Sequence, residues 1–163
     1  MDKVSFDRLA TLHPKFRPIA ESAYKEACEA LTGRATLRIA YGTRTWDEQR
    51  ALFAQGRTKP GPRVTNAPAG KSVHNYGLAV DIVLIIDGKT ASWDTLKDFD
   101  GDKVADWMEV VRIFKKHGME WGGDWKKFPD QPHFQMTFGL SVSEMERRQF
   151  GADMIPGKKF IRL

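Results

Sequence analysis

The sequence predicts a single α+β domain, a small and mainly antiparallel sheet flanked by helices. Three observations carry this expectation. Apolar residues recur at helical spacing in separate stretches, strand-like runs lie between and after them, and no repeat, low-complexity linker or composition shift divides the 163 residues. The chain is therefore read as one domain over residues 1–163, long enough to bury a core. With 41% hydrophobic and 29% charged residues, its composition is that of a globular protein.

The elements follow in order. From Pro14 to Leu31, apolar residues fall at Phe16, Ile19, Ala20, Ala23, Ala27, Ala30 and Leu31, which is helical spacing, and Gly33 is the stop. Cys28 lies in this helix as a small packing residue. "ATLRIAYG", Ala35 to Gly42, reads as a strand. In "TWDEQRALFAQG", Thr45 and Glu48 have the spacing of a capping box, and Gly56 ends the helix. Residues 57–73, with Pro60, Gly61, Pro62, Pro68 and Gly70, form a long irregular segment of the kind that is usually functional or mobile.

"LAVDIVLII", Leu78 to Ile86, is an apolar strand interrupted by one carboxylate, and Asp87-Gly88 makes a turn. A polar loop then leads to a helix with Val104, Trp107, Met108, Val111 and Phe114 on one face and Gly118 after it. His117, in its last turn, is expected to sit at the surface facing the helix dipole. "WGGDWKKFPDQP" reads as a loop, "HFQMTF" alternates like a strand, and "SVSEMERRQFG" is a short capped helix.

Composition narrows the function classes. No apolar run approaches the ~20 residues that span a bilayer. The N-terminal stretch has no apolar core or small-residue cleavage site, so no secretory leader is expected. Cys28 is the only cysteine, which excludes an internal disulfide and any all-thiolate zinc site. A metal would have to be held by His and carboxylates. The net charge of +5 suits an anionic partner such as nucleic acid, a membrane surface or the bacterial wall, and a solvated surface explains it equally well.

Asp81 interrupts a run that otherwise reads as buried, and an unpaired buried carboxylate is costly, so it needs a cation, a metal or strong donors. His74 lies seven residues upstream, beyond Gly77, where a bend would let the two side chains converge. His133, opening the later strand, supplies a third candidate ligand. Two His and one carboxylate with an open fourth position are the ligand set of a catalytic zinc. Asp130, three residues before His133, is either an ordinary turn residue or a second carboxylate able to take a proton from a metal-activated water.

"GTRTWDEQRALFAQGRT", "VTNAPAGKSVHNYGLAVDI" and "WGGDWKKFPDQPHFQM" together resemble the zinc peptidases that combine D-Ala-D-Ala carboxypeptidases with L-alanyl-D-glutamate endopeptidases. They look most like the endopeptidase branch of phage endolysins. The resemblance covers residues of roughly 35 to 138, and its central motif, Ser-x-His-x-x-Gly-x-Ala-x-Asp, is met at Ser72, His74, Gly77, Ala79 and Asp81.

The resemblance implies one zinc per chain held by His74, Asp81 and His133, with Asp130 as the catalytic base. Arg44 would polarise the substrate carbonyl, and Gln49 and Ser72 would contact substrate. The implied activity is zinc-dependent hydrolysis of the peptidoglycan stem peptide at the L-Ala–D-Glu bond. The protein would be a monomeric endolysin made in the host cytoplasm that acts on the wall after release. Trp121 and Trp125 would line the cleft or pack in the core. A D-alanyl-D-alanine carboxypeptidase or dipeptidase on the same scaffold is the alternative. A basic nucleic-acid-binding protein is a more distant one, and no second His or Asn cluster for a scissile phosphate accompanies "HNY". The Asp residues of "DFDGDKVAD" approach a calcium loop, but Gly101 is misplaced, so they are expected to cap the following helix.

Overall fold

The computed structural model describes residues 2–163. It has five helices, α1 (Lys3–Leu9), α2 (Arg17–Ala30), α3 (Trp46–Ala54), α4 (Asp106–Lys116) and α5 (Val142–Phe150). Five strands accompany them: β1 (Ala35–Tyr41), β2 (Ala79–Ile86), β3 (Thr90–Ser92), β4 (Glu120–Trp121) and β5 (His133–Gln135). The expected α+β class is what the chain adopts. These strands pair antiparallel, in the order β1-β2-β5-β4, with β3 also pairing with β2.

β2 is the spine of the sheet. Every residue in it is buried except the half-buried Asp81, and it pairs with β1, β3 and β5. α2 and α4 pack against each other, and α2 also packs on β1. The α4 face expected from the sequence is real at Trp107, Val111 and Phe114, which are buried together with Val110. Met108 and Val104 are exposed instead. Fully burying a side chain such as Phe114 stabilises by about 1.5–3 kcal/mol.

Several short elements escape the sequence reading. α1 covers the free edge of β1: the Ile39 N–H donates to Ser5 Oγ (2.9 Å), and Arg8 Nη1 donates to the Ile39 carbonyl (2.6 Å). Pairing groups of an edge strand are thereby satisfied within the chain. β3 and β4 lie in segments expected to be loops, and β5 covers only the first three residues of the expected strand. α2 begins at Arg17, after a turn at His13–Phe16 in which Phe16 N–H bonds to the His13 carbonyl. Both capping boxes form as expected, Thr45 with Glu48 and Ser141 with Glu144. The Asp residues before α4 do not cap it. Its N-cap is Ala105, which makes no side-chain cap.

Candidate active site

Three elements bring the predicted ligands together. Asp81 and His133 face each other across the β2–β5 ladder. The Ile82 N–H donates to the Pro132 carbonyl (3.0 Å), which makes Asp81 and His133 a non-hydrogen-bonded pair, the arrangement in which opposed side chains come closest. On the other side of Asp81, the β1–β2 register shifts between Ile39 and Tyr41, and this irregularity sets Tyr41 opposite Asp81.

His74 arrives from a single 3-10 turn, Val73–Tyr76, that Gly77 closes in the left-handed conformation at φ 70. A Cβ at Gly77 would lie 2.7 Å from the His13 nitrogen and 3.0 Å from Thr43 Oγ1. Both conformation and space therefore require glycine. The bend expected at this position is the turn and its glycine cap.

At the meeting point His74 Nε2 lies 3.2 Å from Asp81 Oδ1 and 3.1 Å from His133 Nδ1, and His133 Nδ1 lies 3.3 Å from Asp81 Oδ1. The outer nitrogens of both rings are engaged. His74 Nδ1 donates to the Gly42 carbonyl (2.8 Å), and His133 Nε2 donates to Gln135 Oε1 (2.9 Å). The Gln135 amide is oriented in turn by Glu120, whose Oε2 accepts from Nε2 (3.2 Å).

In the neutral rings these outer bonds fix the tautomers, so that the two inner nitrogens present lone pairs. Two lone pairs and a carboxylate oxygen directed at one another repel unless a cation sits among them. The donor set fits a divalent ion of the zinc type, with imidazole nitrogens and one carboxylate.

The electrostatics agree. Burial opposes the charge on Asp81, but the charges and hydrogen bonds of His74 and His133 win and hold its pKa well below the usual carboxylate range. Burial likewise opposes charge on His133, and the Asp81 carboxylate outweighs it, raising the His133 pKa. The point between the rings is one where positive charge is favoured.

Arg44 sits behind this cluster. Its Nη2 lies 3.5 Å from Asp81 Oδ2, its Nη1 donates to Gln49 Oε1 (2.9 Å), and its guanidinium stacks 5.3 Å from the Tyr41 ring centre. Gln49 is fully buried, and its Nε2 donates to the Ala67 carbonyl (2.7 Å). It joins Arg44 to the irregular segment and has no surface facing the cleft. Ser72 is half-buried in the cleft wall, its N–H donating to Asn75 Oδ1 (3.4 Å).

Asp130 is held by its backbone. Its N–H donates to the Gly122 carbonyl (2.9 Å), and its carbonyl accepts from His133 N–H (3.2 Å). A Cβ at Gly122 would lie 2.4 Å from the Asp130 carbonyl oxygen, so glycine permits this close approach. The side chain reaches solvent, yet crowding in the cleft and the Asp81 charge raise its pKa, against the pull of His133, His74 and Arg44.

His74, Asp81, His133, Arg44, Ser72 and Asp130 line one cleft of about 1040 Å³, whose walls include Tyr41, Trp93, Trp125 and Phe128. Trp125 lies beside His133, with ring centres 5.2 Å apart. Trp121 is buried and donates from Nε1 to the Gln131 carbonyl (2.7 Å), which makes it a packing residue. Sequence reasoning missed Gln135, Glu120, Tyr41 and Trp93. Gln135 carried a signal, a polar residue two places beyond His133 and so on the same strand face. His117 caps the C-terminal end of α4 and bonds to Glu26 Oε2 (2.7 Å), far in role from the cluster.

Comparison with known proteins follows the same residues. Positions 65–136 match the sequence model of the D-alanyl-D-alanine carboxypeptidase family, a segment that includes Ser72, His74, Asp81, Asp130 and His133. The peptidoglycan L-alanyl-D-glutamate endopeptidase CwlK of Bacillus subtilis (strain 168) is 49% identical over 98 residues, 60% of this chain and 59% of that protein. The L-alanyl-D-glutamate peptidase of Listeria phage A118 is 38% identical over 91 residues, 51% of this chain and 30% of that protein. This chain thus spans less than two thirds of the length of either relative.

Among solved structures, the L-Ala D-Glu endopeptidase ChiX of Serratia marcescens shares the fold, with a TM-score of 0.57 and 22% identity, covering 85% of this chain and 90% of that one. The resemblance read from the sequence therefore holds: this chain carries the D-alanyl-D-alanine carboxypeptidase family pattern over residues 65–136 and is similar, beyond it, to L-alanyl-D-glutamate peptidases.

Proposed function

We propose that this protein is a zinc-dependent peptidoglycan hydrolase that cleaves the stem peptide between L-alanine and D-glutamate, as a phage or prophage endolysin. The observation that carries the reading is the convergence of His74 Nε2, Asp81 Oδ1 and His133 Nδ1 at the wall of a cleft shared with Asp130 and Arg44. The similarity to two L-alanyl-D-glutamate peptidases supports the choice of bond.

His74, Asp81 and His133 would hold a zinc ion, which would supply Lewis acidity at the scissile carbonyl and acidify a water. The remaining chemistry belongs to the chain. His74 and His133 are kept in their ligating tautomers by Gly42 and Gln135. Asp130 takes a proton from the attacking water on its carboxylate and returns it to the nitrogen of the leaving amine, and its raised proton affinity suits that exchange.

Arg44, fixed by Gln49 and Tyr41, stabilises negative charge developing on the carbonyl oxygen. Ser72 contacts the substrate from the wall, while Gln49 serves by positioning Arg44. Trp93, Trp125 and Phe128 offer apolar faces to the peptide. The protein acts as a monomer released from the host cytoplasm, and its net charge of +5 favours anionic wall polymers. Among the described residues no helix is long and apolar enough to cross a membrane.

Digestion of purified Gram-negative-type peptidoglycan by the zinc-loaded protein, followed by mass spectrometry of the fragments, tests this reading. Stem peptides with a new N-terminal D-glutamate are expected, and a chelator should stop their release. Release of D-alanine alone would replace the endopeptidase with a carboxypeptidase, the activity in the description of the matching family.

A further inference from the structure

The acidic loop before α4 has a different order from the capping role expected of it. Counted from Asp98, carboxylates stand at the first, third, fifth, ninth and twelfth positions, as Asp98, Asp100, Asp102, Asp106 and Glu109. Those are the side-chain positions of a twelve-residue calcium loop, and the seventh, Val104, is where such a loop offers a backbone carbonyl. The sixth position of these loops is glycine because the chain turns sharply there. Lys103 occupies it with φ 76, so the left-handed turn is made without glycine.

Two of the carboxylates are buried with an oxygen that finds no partner among the described residues, Asp106 Oδ1 and Glu109 Oε2. Asp106 is 0% exposed and Glu109 5%. The other Asp106 oxygen accepts from the Phe99 N–H (2.7 Å), and the Arg112 guanidinium near Glu109 is a distant 3.7 Å away on a largely exposed side chain. Burial and the neighbouring carboxylates raise the pKa of both groups.

An unpaired buried carboxylate oxygen is costly, and two of them beside three further carboxylates call for a cation. Oxygens of Asp98, Asp100 and Asp106 lie within 4.8 Å of one another, as do those of Asp100, Asp102 and Glu109, and Asp100 joins the two groups.

We propose that residues 98–109 form a calcium site, separate from the cluster of His74, Asp81 and His133. An all-oxygen set with several carboxylates selects a hard cation, and its size and irregularity suit calcium better than the strict octahedron of magnesium. The ion neutralises the buried charge and fixes the loop between the segment after α2 and the start of α4. On one side Asp100 Oδ2 accepts from Thr32 Oγ1 (3.0 Å), just beyond α2. On the other, Glu109 stands in α4 two residues after the buried Trp107. The site does not depend on the peptidase reading.

The test uses the full chain, stripped of divalent ions, reloaded with one equivalent of zinc and titrated with calcium chloride by calorimetry and thermal unfolding. One calcium per chain is expected, with the melting temperature rising by about 5–10 °C at calcium a hundredfold above Kd. Glu109→Gln and Asp102→Ala, the second at an exposed side chain that does not support the core, should each weaken calcium binding at least about tenfold. Without calcium, Glu109→Gln should melt no lower than the unsubstituted protein, because a buried charge has gone; this separates a lost ligand from a damaged fold. No binding heat and no melting shift at about 10 mM calcium would overturn the site. So would undiminished binding in both variants.

Discussion

His74 Nε2 and His133 Nδ1 face each other at 3.1 Å, while the opposite nitrogen of each ring is bound to an oxygen acceptor. With both rings neutral, neither inner nitrogen carries a proton to share, and a cation between them accepts both lone pairs. The fold holds the arrangement from three directions: a glycine-capped turn, the β2–β5 ladder and a buried glutamine.

Gln135 should control metal affinity from outside the ligand set. Replacing it with Leu removes the acceptor that fixes the His133 tautomer, and partners of this kind are worth about 10–100-fold in affinity. Competition against a zinc chelator is expected to show weakened binding in Gln135→Leu with the fold intact by circular dichroism. Glu120→Gln should produce a smaller change in the same direction.

Asp130→Asn should keep zinc and lose turnover by about 10²–10⁴. The amide preserves shape but cannot carry the proton between water and amine. Steady-state cleavage of a purified stem peptide, beside the zinc content of the same preparation, checks both halves of the expectation. Near-normal turnover in the metal-replete variant would assign the base to another residue.

Arg44→Lys should reduce turnover by about 10²–10³ with a modest effect on melting temperature. The guanidinium bonds Gln49, approaches Asp81 and stacks on Tyr41 at once, and a lysine ammonium cannot reproduce that geometry. Gln49→Leu strands the Ala67 carbonyl and one Arg44 donor, and should destabilise by about 1–3 kcal/mol in denaturant unfolding.

Gly122→Ala should damage activity although the residue carries no chemistry. The added methyl meets the Asp130 carbonyl at 2.4 Å and the His133 Cβ at 3.2 Å, so the turn that connects the proposed base to the strand must shift. Turnover is expected to fall more than zinc content.

Much of the site could be read from the chain because its motif is local. Ser72, His74, Gly77 and Asp81 fall within ten residues, and the bend needed for convergence is signalled by Gly77. The facing of Asp81 and His133 is not local. It depends on the β2–β5 register, and β5 is only three residues long with all of them buried, too short to show alternation. β3 and β4, three and two residues long, likewise owe their form to tertiary pairing.

Gln49 illustrates a different limit. Sequence resemblance suggested a substrate contact, whereas its burial behind Arg44 depends on how the segment at Thr65–Ala67 folds back over α3. In the acidic loop, Glu109 stood at the twelfth position in plain view. The glycine expected at the sixth was replaced by Lys103, and only the backbone reveals that the turn survives.

Elemental analysis of zinc after exhaustive dialysis tests the metal centre most directly. The account predicts about one zinc per chain in the unsubstituted protein and in Asp130→Asn, and its loss from His74→Ala, Asp81→Ala and His133→Ala. A full equivalent of zinc retained in all three of those single substitutions would contradict it.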